Sequence, residues 1–465
     1  MTTGLADGEK LMDYEITSKE ELVRYFQDGA KPKKDWKVGT EYETIAVSSL
    51  SGKAVPYSGS RGVEQMLRAI AERFGYTVEE EDGRALALRG PKSAITLEPG
   101  AQIELSGEQC DTIHSAYREF SRHVEQLVAV ARQFDVTLLG LGMQPLSTLD
   151  EIELIPKARY RIMFPYMARK GRLGQRMMKQ TAGVQTNVDY SDEADAMRKL
   201  RVSAGLTPLI YALFANSPLS DGSLNGYQSF RGHIWTQTDP DRCGTPEFLF
   251  RHDAGFEDYV DYALDVPMYF LVRDGRYLDL TAPPGLTFRQ FMEHGWRGER
   301  PTLRDWAIHL TTIFTEVRLK RYIEVRCADS QPPNLMLALP ALIKGVLYER
   351  DALDGAWDLV RHWSFDERLR ITDMAHKLGL EAKVGKLRLK DLAVELLAIA
   401  ISGLERTRAL NERGEDESIY LYPMLDLARS GRNQAVLTIE RWKGRWNYEP
   451  RRMIEECSYE AQTIL

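Results

Sequence analysis

The chain has 465 residues, enough to bury a large core without disulfides or structural metals. Its 61 Lys and Arg against 68 Asp and Glu give a formal net charge of −7, which disfavours general nucleic-acid binding because that relies on an excess of cations. The four cysteines are dispersed and form no CxxC pair, which argues against a zinc knuckle and fits a reducing compartment.

The N-terminal residues and the hydropathy of the chain bear on its location. The first twenty residues are acidic and lack the apolar core of a signal peptide. The most apolar stretch, residues 396–404, is too short to span a bilayer. We therefore expect a cytoplasmic protein that binds neither membranes nor nucleic acid. A monomer or a homodimer is expected as well, although no sequence feature decides between them.

In chain order, residues 1–34 are predicted to form an N-terminal helix and connector, and residues 35–465 a single domain, almost entirely helical from about residue 340. Alternating or apolar runs predict strands at 36–47, 94–106, 136–143, 159–163, 184–190, 230–236 and 322–328. Apolar residues at helical spacing predict helices at 62–74, 112–134 and 191–214, and residues 167–181 fit a helix or a loop. Without a strict βαβ alternation, this mixture favours an α+β fold with an antiparallel sheet.

Three of these strands carry glutamates on one face. Glu41 and Glu43 lie two residues apart and therefore project to the same side, about 6–7 Å from each other. Glu98 and Glu104 share parity in the second strand, and Glu324 shares a face with Arg326 in the third. Such oxygen-rich sets suit Mg²⁺ or Mn²⁺ rather than zinc. A solvated sheet face explains each pair alone, but three such strands together favour a site.

Cations are concentrated in the middle of the chain. Between residues 154 and 188 there is no acidic residue, and the Lys and Arg residues there are Lys157, Arg159, Arg161, Arg169, Lys170, Arg172, Arg176 and Lys179. The first three share strand parity, and the patch fits either an anionic ligand or a solvated basic surface. Arg231 lies between the aromatic residues Phe230 and Trp235, where its partner is either a substrate carboxylate or a structural Asp.

Several catalytic motifs are absent from the sequence. It contains no GxxxxGK[ST] phosphate loop, no GxSxG elbow, no HExxH and no GxGxxG after a strand. These absences count against P-loop nucleotide hydrolysis, serine hydrolysis of that type, zinc peptidase chemistry and dinucleotide binding.

Long ordered motifs give the sequence a family resemblance. They are GTEYE (39–43), ITLEPGAQIELSG (95–107), PKARYRIM (156–163), GVQTNVDY (183–190), LFANSPLSDGSLNGYQSFRGHIWTQTDPDR (213–242), DYALDVPMYF (261–270) and HLTTIFTEVRLKRYIEVRCAD (309–329). Through these motifs, from about residue 35 to 450, the chain resembles the plant-type glutamate–cysteine ligases, which also occur in bacteria.

The resemblance implies a glutamine-synthetase-like catalytic fold, a funnel of curved antiparallel sheet surrounded by helices. It implies an enzyme that uses ATP as co-substrate to phosphorylate the γ-carboxylate of L-glutamate. The amine of L-cysteine then attacks this γ-glutamyl phosphate to give γ-glutamylcysteine, the first step of glutathione synthesis. Roughly two or three Mg²⁺ ions, with Mn²⁺ as an alternative, are the implied cofactors.

The resemblance also implies roles for single residues. The implied metal ligands are Glu41, Glu43, Glu98, Glu104, Gln185 and Glu324. Glu324 and Arg326 are the implied catalytic residues, since Arg326 would contact the transferring phosphoryl group. Arg231 would hold the glutamate α-carboxylate, with Asn187 and Trp235 in the same substrate site. ATP would be bound by Lys157, Arg159, Arg161 and Arg326.

Two other functions remain open from the sequence. One is a carboxylate–amine ligase of the same fold with a different amine acceptor, because no residue identifies a cysteine pocket. The other is a catalytically silent ligand-binding relative, which the presence of all five glutamates disfavours. Unlike plant members, the sequence has no recognisable transit peptide, and no cysteine pair can be assigned to a regulatory disulfide.

Overall fold

A computed structural model describes residues 13–462. Part of the predicted N-terminal helix and connector, residues 1–12, lies outside the described residues. Helix α1, Lys19–Gln27, begins after Ser18, where the Glu21 side chain accepts a hydrogen bond from the Ser18 backbone N–H at 3.1 Å. That contact closes a capping box, which satisfies donors that the first turn of a helix leaves free.

The α-helices of the described chain follow in sequence order. They are α1 Lys19–Gln27, α2 Val63–Phe74, α3 Ile113–Ala131, α4 Ala158–Lys170, α5 Gly174–Gln180, α6 Glu193–Phe214, α7 Phe230–Thr236, α8 Phe256–Asp265, α9 Phe288–His294, α10 Leu303–Thr311, α11 Ala338–Leu347, α12 Arg350–Val360, α13 Phe365–Leu378, α14 Leu389–Thr407, α15 Tyr422–Arg429, α16 Gln434–Lys443 and α17 Pro450–Cys457. Among residues 13–462, none of these helices is both long enough and apolar enough to cross a bilayer.

The β-strands form one large sheet and several two-stranded pairs. They are β1 Val38–Ser48, β2 Thr77–Glu81, β3 Arg84–Arg89, β4 Ala94–Leu97, β5 Ile103–Ser106, β6 Val136–Leu139, β7 Gly183–Val188, β8 Leu219–Ser220, β9 Ser223–Leu224, β10 Cys243–Gly244, β11 Phe270–Arg273, β12 Arg276–Asp279, β13 Phe314–Thr315, β14 Val317–Leu319, β15 Ile323–Asp329, β16 Lys383–Val384 and β17 Leu387–Arg388.

The large sheet has the order β14-β15-β7-β1-β5-β4-β3-β2, and β6 pairs with the far end of β1. All of its neighbouring strands run antiparallel. This confirms the predicted α+β fold with an antiparallel sheet. The proposed division at residues 34 and 35 stays a prediction, although from Ala338 onward the described chain is helical apart from loops and the β16–β17 hairpin.

The two faces of the sheet differ in chemistry. On one face, Tyr42 pairs with Leu105 and Val184 and packs on Phe120 of α3, with ring centroids 4.7 Å apart. This face buries apolar side chains against helices, which is what stabilises the sheet. Alternation along β1 therefore sends Glu41 and Glu43 to the opposite face.

Two predicted strands are helices in the structure. Residues 159–163 belong to α4, because Tyr160, Met163 and Met167 are buried at the spacing of one helical face. Residues 230–236 form α7, which begins where the Ser229 side chain accepts a hydrogen bond from the Gly232 backbone N–H. The alternating cations of the first segment and the short length of the second gave a false strand pattern.

Candidate functional site

Strand pairing brings three of the predicted glutamates onto one polar face. Glu43 on β1 lies opposite Glu104 on β5, and Glu41 lies opposite Gln185 on β7. Directly opposed residues in an antiparallel pair have Cβ atoms about 4.5–5.5 Å apart. The sequence could give only the parity of each strand, whereas the register shows which carboxylates are neighbours.

A cleft lies over this face, covered by α4, α5 and α7. It encloses about 810 Å³ of space, part of it open solvent. Its lining residues are Glu43, Thr96, Glu98, Pro99, Gln102, Glu104, Lys157, Arg159, Tyr160, Met163, Met177, Met178, Thr181, Gln185, Arg231, Trp235, Phe314 and Arg326.

The carboxylates in the cleft repel one another. Burial, together with the charges of Glu98 and Glu104, raises the pKa of Glu43 to about 8. Glu43 accepts a hydrogen bond from the Gly183 backbone N–H at 2.6 Å, which only partly offsets this effect. An added cation would relieve the repulsion, so this part of the cleft is suited to bind one.

Glu98 reaches the cleft from a turn rather than from a strand. β4 ends at Leu97, and the turn to β5 is closed by a 3.0 Å hydrogen bond from the Glu98 N–H to the Gln102 carbonyl. The Gln102 side chain donates to the carbonyl oxygens of Met178 and Thr181 at 3.3 and 2.7 Å. Gln102, which the sequence analysis did not single out, thus ties the turn of Glu98 to the end of α5.

Arg231 enters the cleft from α7 with part of its guanidinium unpaired. It is 3% exposed, and its Nη2 donates to the Arg326 carbonyl oxygen at 3.1 Å. Its Nε and Nη1 are buried and have no hydrogen-bond partner within residues 13–462, and Asp329 lies 4.0 Å from Nη1. Since unused guanidinium donors are costly to bury, Arg231 is a candidate to bind an anionic group of a ligand. Trp235, one helical turn further along, also lines the cleft.

Glu324 is the centre of an ion-pair cluster. It is fully buried and pairs with Arg318, with Lys320 at 3.2 Å and with Arg326 at 2.9 Å. Burial alone would raise the pKa of Glu324, but these three cations outweigh burial and hold the pKa well below its ordinary value. Its carboxylate is therefore engaged by protein cations and does not line the cleft, which argues against the predicted role of Glu324 as a metal ligand.

Arg318 and Lys320 escaped the sequence analysis. Both precede Glu324 on the neighbouring strand segment, and Arg318 lies directly opposite it. The signal was present, because Arg318 and Lys320 have the same spacing of two as Glu324 and Arg326. Only the hairpin between β14 and β15 shows that the two pairs face each other.

Arg326 connects this cluster with the cleft. Its Nη1 donates to Glu324 at 2.9 Å and also to the side-chain oxygen of Gln185. Arg326 lines the cleft, whereas Arg318 and Lys320 do not. Of the three cations around Glu324, Arg326 is thus the one placed to contact a bound anion.

The predicted ATP-binding cations divide into two groups. Lys157 and Arg159 line the cleft, and burial, followed by the charge of Arg159, lowers the pKa of Lys157. Arg161 lies outside the cleft, is exposed and is 3.7 Å from Asp82. Arg161 is therefore not placed to bind ATP in this cleft: it lies within α4, on the solvent side of the helix, whereas Lys157 precedes the helix.

Glu41 and Asn187 form a separate corner beside Glu324. The Asn187 amide donates to Glu41 at 3.4 Å, and Asn187 lies opposite Glu324. Neither residue lines the cleft that Arg231 enters. Burial, followed by the charges of Glu324 and Glu104, raises the pKa of Glu41. Their predicted roles as metal ligand and substrate contact remain predictions.

The donor set fits magnesium only if a ligand supplies part of the coordination. Within residues 13–462, no three His, Cys, Asp or Glu side chains converge tightly enough to hold a metal ion alone. Magnesium in proteins commonly uses about one or two carboxylates, with waters and substrate phosphates as its other ligands. Glu43, Glu98 and Glu104 meet that smaller requirement, whereas the side-chain oxygen of Gln185 accepts a hydrogen bond from Arg326.

We expect Glu43→Gln to stabilise the protein at pH 8 in the absence of divalent ions. The pKa of Glu43 is about 8 in the folded protein, against an ordinary value of 4.5. The contribution of Glu43 to the free energy of unfolding is therefore fully present below pH 4.5 and is lost as the pH rises to about 8. The substitution removes that loss. It should also reduce the rise in melting temperature that MgCl₂ causes at fixed ADP, measured by thermal denaturation.

The matched control for this experiment is Glu119→Gln. Burial also raises the pKa of Glu119, but this residue lies on α3 and does not line the cleft. Glu119→Gln should keep the full response to magnesium. An equal magnesium response in Glu43→Gln would contradict a role for Glu43 in holding the ion.

Comparison with known proteins gives consistent results in sequence and in fold. The sequence model described as glutamate-cysteine ligase family 2 matches residues 37–456. The chain is 41% identical to the chloroplastic glutamate–cysteine ligase of Medicago truncatula over 448 residues, which cover 96% of this chain and 86% of that protein. It is 40% identical to the chloroplastic enzyme of Arabidopsis thaliana over 454 residues, 97% of this chain and 85% of that protein.

A solved structure supports the fold. The crystal structure of glutamate–cysteine ligase from Francisella tularensis, in complex with AMP, matches with a TM-score of 0.54 at 15% sequence identity. The match covers 92% of this chain and 88% of that one. At this identity the likeness bears on the fold alone, and it confirms the predicted glutamine-synthetase-like fold.

The relatives correct one expectation. The acidic N-terminal residues, without a recognisable signal peptide, predict a cytoplasmic protein. The related enzymes from Medicago truncatula and Arabidopsis thaliana are chloroplastic. This finding points to a plastid location and not to the cytoplasm. The prediction was wrong because it read a location from the absence of a recognisable leader.

Proposed function

The chain belongs to glutamate-cysteine ligase family 2, and we propose that it is an ATP-dependent ligase joining the γ-carboxylate of L-glutamate to the amine of L-cysteine. The observation that carries this proposal is the meeting, in one cleft, of a carboxylate cluster with the unpaired guanidinium of Arg231 and the guanidinium of Arg326. Such a cleft can hold phosphates through cations and an amino-acid carboxylate through Arg231. The two relatives named above are glutamate–cysteine ligases, and their sequences match nearly the whole length of this chain.

The reaction consists of two transfers. An oxygen of the glutamate γ-carboxylate attacks the γ-phosphorus of ATP and ADP leaves. The cysteine amine then attacks the acyl carbon, phosphate leaves, and the nitrogen loses a proton as the amide forms. Phosphoryl transfer needs alignment and neutralisation of charge on the phosphoryl oxygens more than it needs a protein nucleophile.

The proposed residue roles follow from position in the cleft. Arg326 neutralises the transferring phosphoryl group, while Lys157 and Arg159 bind the ATP phosphates from the start of α4. Arg231 binds the α-carboxylate of glutamate through its free Nε and Nη1, and Trp235 covers the substrate beside it. Among the predicted ATP ligands, Arg161 is left out because it lies outside the cleft.

Magnesium is the proposed cofactor, and Glu43, Glu98 and Glu104 are the cleft residues that would hold it. Gln185 could join them only by releasing its oxygen from Arg326. When bound, the ion supplies charge neutralisation on the phosphate oxygens. Without a cation, burial and mutual repulsion raise the pKa of Glu43. The carboxylates themselves therefore favour the presence of a positive ligand. Manganese has the same preference for oxygen donors and could replace magnesium.

The cleft residues are compatible with two kinds of amine acceptor. The apolar wall of the cleft contains Met163, Met177, Met178 and Phe314, and none of these groups is specific for a thiol. A ligase that joins glutamate to another amine is therefore the second candidate.

A coupled ADP-release assay tests the proposal. We expect ADP release to require glutamate and a divalent ion, and to be fastest with cysteine among cysteine, serine, alanine, glycine and 2-aminobutyrate. Mass spectrometry should identify γ-glutamylcysteine as the product. A faster rate with another amine would favour the second candidate, and ADP release that does not depend on glutamate would reject both. Light scattering during chromatography would check the predicted monomer or homodimer.

A further inference from the structure

We propose that Asp329 is a positioning residue that aims Arg231 at the carboxylate of the substrate. Asp329 is fully buried and does not line the cleft, so it cannot itself touch a ligand there. It lies behind Arg231, with 4.0 Å between its Oδ1 and the Arg231 Nη1. The inference rests on the proposed function, because it concerns the residue that binds glutamate.

An irregularity in β15 puts Asp329 on the face of the sheet that holds the site. Glu324 pairs with Asn187 and Asp329 pairs with Gly183, so five steps along β15 match four along β7. With regular pairing, residues 324 and 329 would point to opposite faces. The bulge between Val325 and Ala328 reverses this, which is a known use of bulges near functional sites.

Asp329 then controls the first turn of α7 through two serines. The hydroxyls of Ser217 and Ser229 donate to Asp329 at 2.7 and 2.9 Å. The same two hydroxyl oxygens accept hydrogen bonds from the backbone N–H groups of Arg231 and Gly232, at 3.0 and 3.1 Å. Each serine therefore transmits the position of the carboxylate to the backbone from which the Arg231 side chain leaves.

Two glycines leave room for this arrangement. A Cβ atom at Gly142 would lie 2.6 Å from the Cβ of Asp329, and one at Gly183 would lie 2.5 Å from Nη2 of Arg231. Both distances are shorter than non-bonded carbon or nitrogen contacts allow, so any side chain at either position would displace the pair. The absence of a side chain at these two positions therefore lets Asp329 and Arg231 lie where they do.

The arrangement also sets the charge available to a ligand. At 4.0 Å, Asp329 faces Arg231 without forming a close hydrogen-bonded pair, and Nε and Nη1 stay free within the described residues. A close bidentate pair would occupy those donors and close the receptor. Asp329 therefore orients Arg231 while leaving its guanidinium able to bind one carboxylate of the substrate.

Steady-state kinetics of Asp329→Asn test this inference. The amide presents a donor where Asp329 only accepts, so it disrupts the serine contacts while keeping the size of the side chain. We expect the KM for glutamate to rise at least about tenfold, and the KM for ATP to change by less than about twofold. If Asp329 were only structural, the melting temperature would fall and the KM for glutamate would stay unchanged.

A double-mutant cycle makes the test specific to Arg231. In an Arg231→Gln background, Asp329→Asn should add nothing further to the KM for glutamate, because the residue through which it acts is gone. Fully additive effects would overturn the inference. Should Asp329→Asn fail to fold, Ser229→Ala removes one arm of the network, and an unchanged KM for glutamate in that variant would count equally against it.

Asp305→Asn is the matched control. Asp305 is also buried, pairs with Arg273 at 2.7 Å and accepts a 2.9 Å hydrogen bond from the Thr302 N–H at the start of α10. It does not line the cleft, so its loss should lower the melting temperature and leave both KM values unchanged. If the unmodified protein released no ADP with glutamate, the proposed function and this inference would both fall. If the unmodified protein were active and Asp329→Asn left the KM for glutamate unchanged, only this inference would be overturned.

Discussion

Glu324→Gln is expected to lower turnover at least about a hundredfold and to lower the free energy of unfolding by about 3–5 kcal/mol. The neutral amide leaves Arg318, Lys320 and Arg326 without the buried carboxylate that they share. Their mutual repulsion should move Arg326 away from the cleft. Urea denaturation and steady-state kinetics at saturating ATP measure the two losses.

The pH dependence of stability gives a second measure of the same cluster. The cations hold the pKa of Glu324 below its ordinary value of 4.5, so its contribution to stability is present above that value and lost as pH falls below it. Glu324→Gln should therefore flatten the acid side of the stability curve. Normal turnover in a folded Glu324→Gln protein would show that the ion-pair cluster around Glu324 is not needed for catalysis.

Glu64→Gln provides the control for loss of a paired glutamate. Glu64 is buried and bridges Arg68 at 3.2 Å and Arg84 at 2.9 Å, but it lies on α2 and does not line the cleft. Because both arginines are partly exposed, the loss of stability should be smaller than for Glu324. Turnover should remain normal.

The second large effect is expected for Arg326→Lys, which should lower the maximal rate by about a hundredfold to a thousandfold. In Arg326, Nη1 alone donates to both Glu324 and Gln185, so the planar fork has two further nitrogens for a ligand. Lysine keeps the charge but has a single nitrogen for all of these contacts. The proposed contact with the phosphoryl group would strengthen as charge builds in the transition state. The loss should therefore fall on the maximal rate rather than on the KM for ATP.

Arg318→Lys separates the role of Arg326 from that of its neighbour. Arg318 pairs with the same glutamate, but its Nη1 donates hydrogen bonds to the carbonyl oxygens of Thr311 and Ile313 at 2.9 and 2.8 Å. Arg318 does not line the cleft. Its replacement should reduce stability more than the maximal rate. An unchanged maximal rate in Arg326→Lys, with a loss confined to stability, would assign Arg326 to structure alone.

The sequence predicts the strands of the site well because their alternation is strict. Glu41 and Glu43 on β1, Glu104 on β5, and Glu324 with Arg326 on β15 all lie on strands, as the period of two indicates. Their faces follow from parity alone. Which carboxylates meet does not, because the pairing of Glu43 with Glu104 depends on register between separate strands.

Other parts of the site depend on features that parity cannot express. The alternating cations of residues 157–161 imitate a strand, whereas the burial of Tyr160 and Met163 makes that segment a helix and turns Arg161 outward. The place of Asp329 follows from a bulge that no local pattern announces. Which donors of Arg231 lack a hydrogen-bond partner among the described residues can be seen only from the three-dimensional structure.

The order of strands in the large sheet also bears on how the protein folds. Gly183 and Glu43, which share a hydrogen bond, are 140 residues apart in the chain, and Gln185 and Arg326 are 141 residues apart. Contacts this distant in sequence form late, because closing the intervening loops costs chain entropy before the contacts repay it. The helices after Ala338 and the β14–β15 hairpin can form from local contacts. A partly folded or truncated chain can therefore show much of the native secondary structure and still contain no ligand cleft.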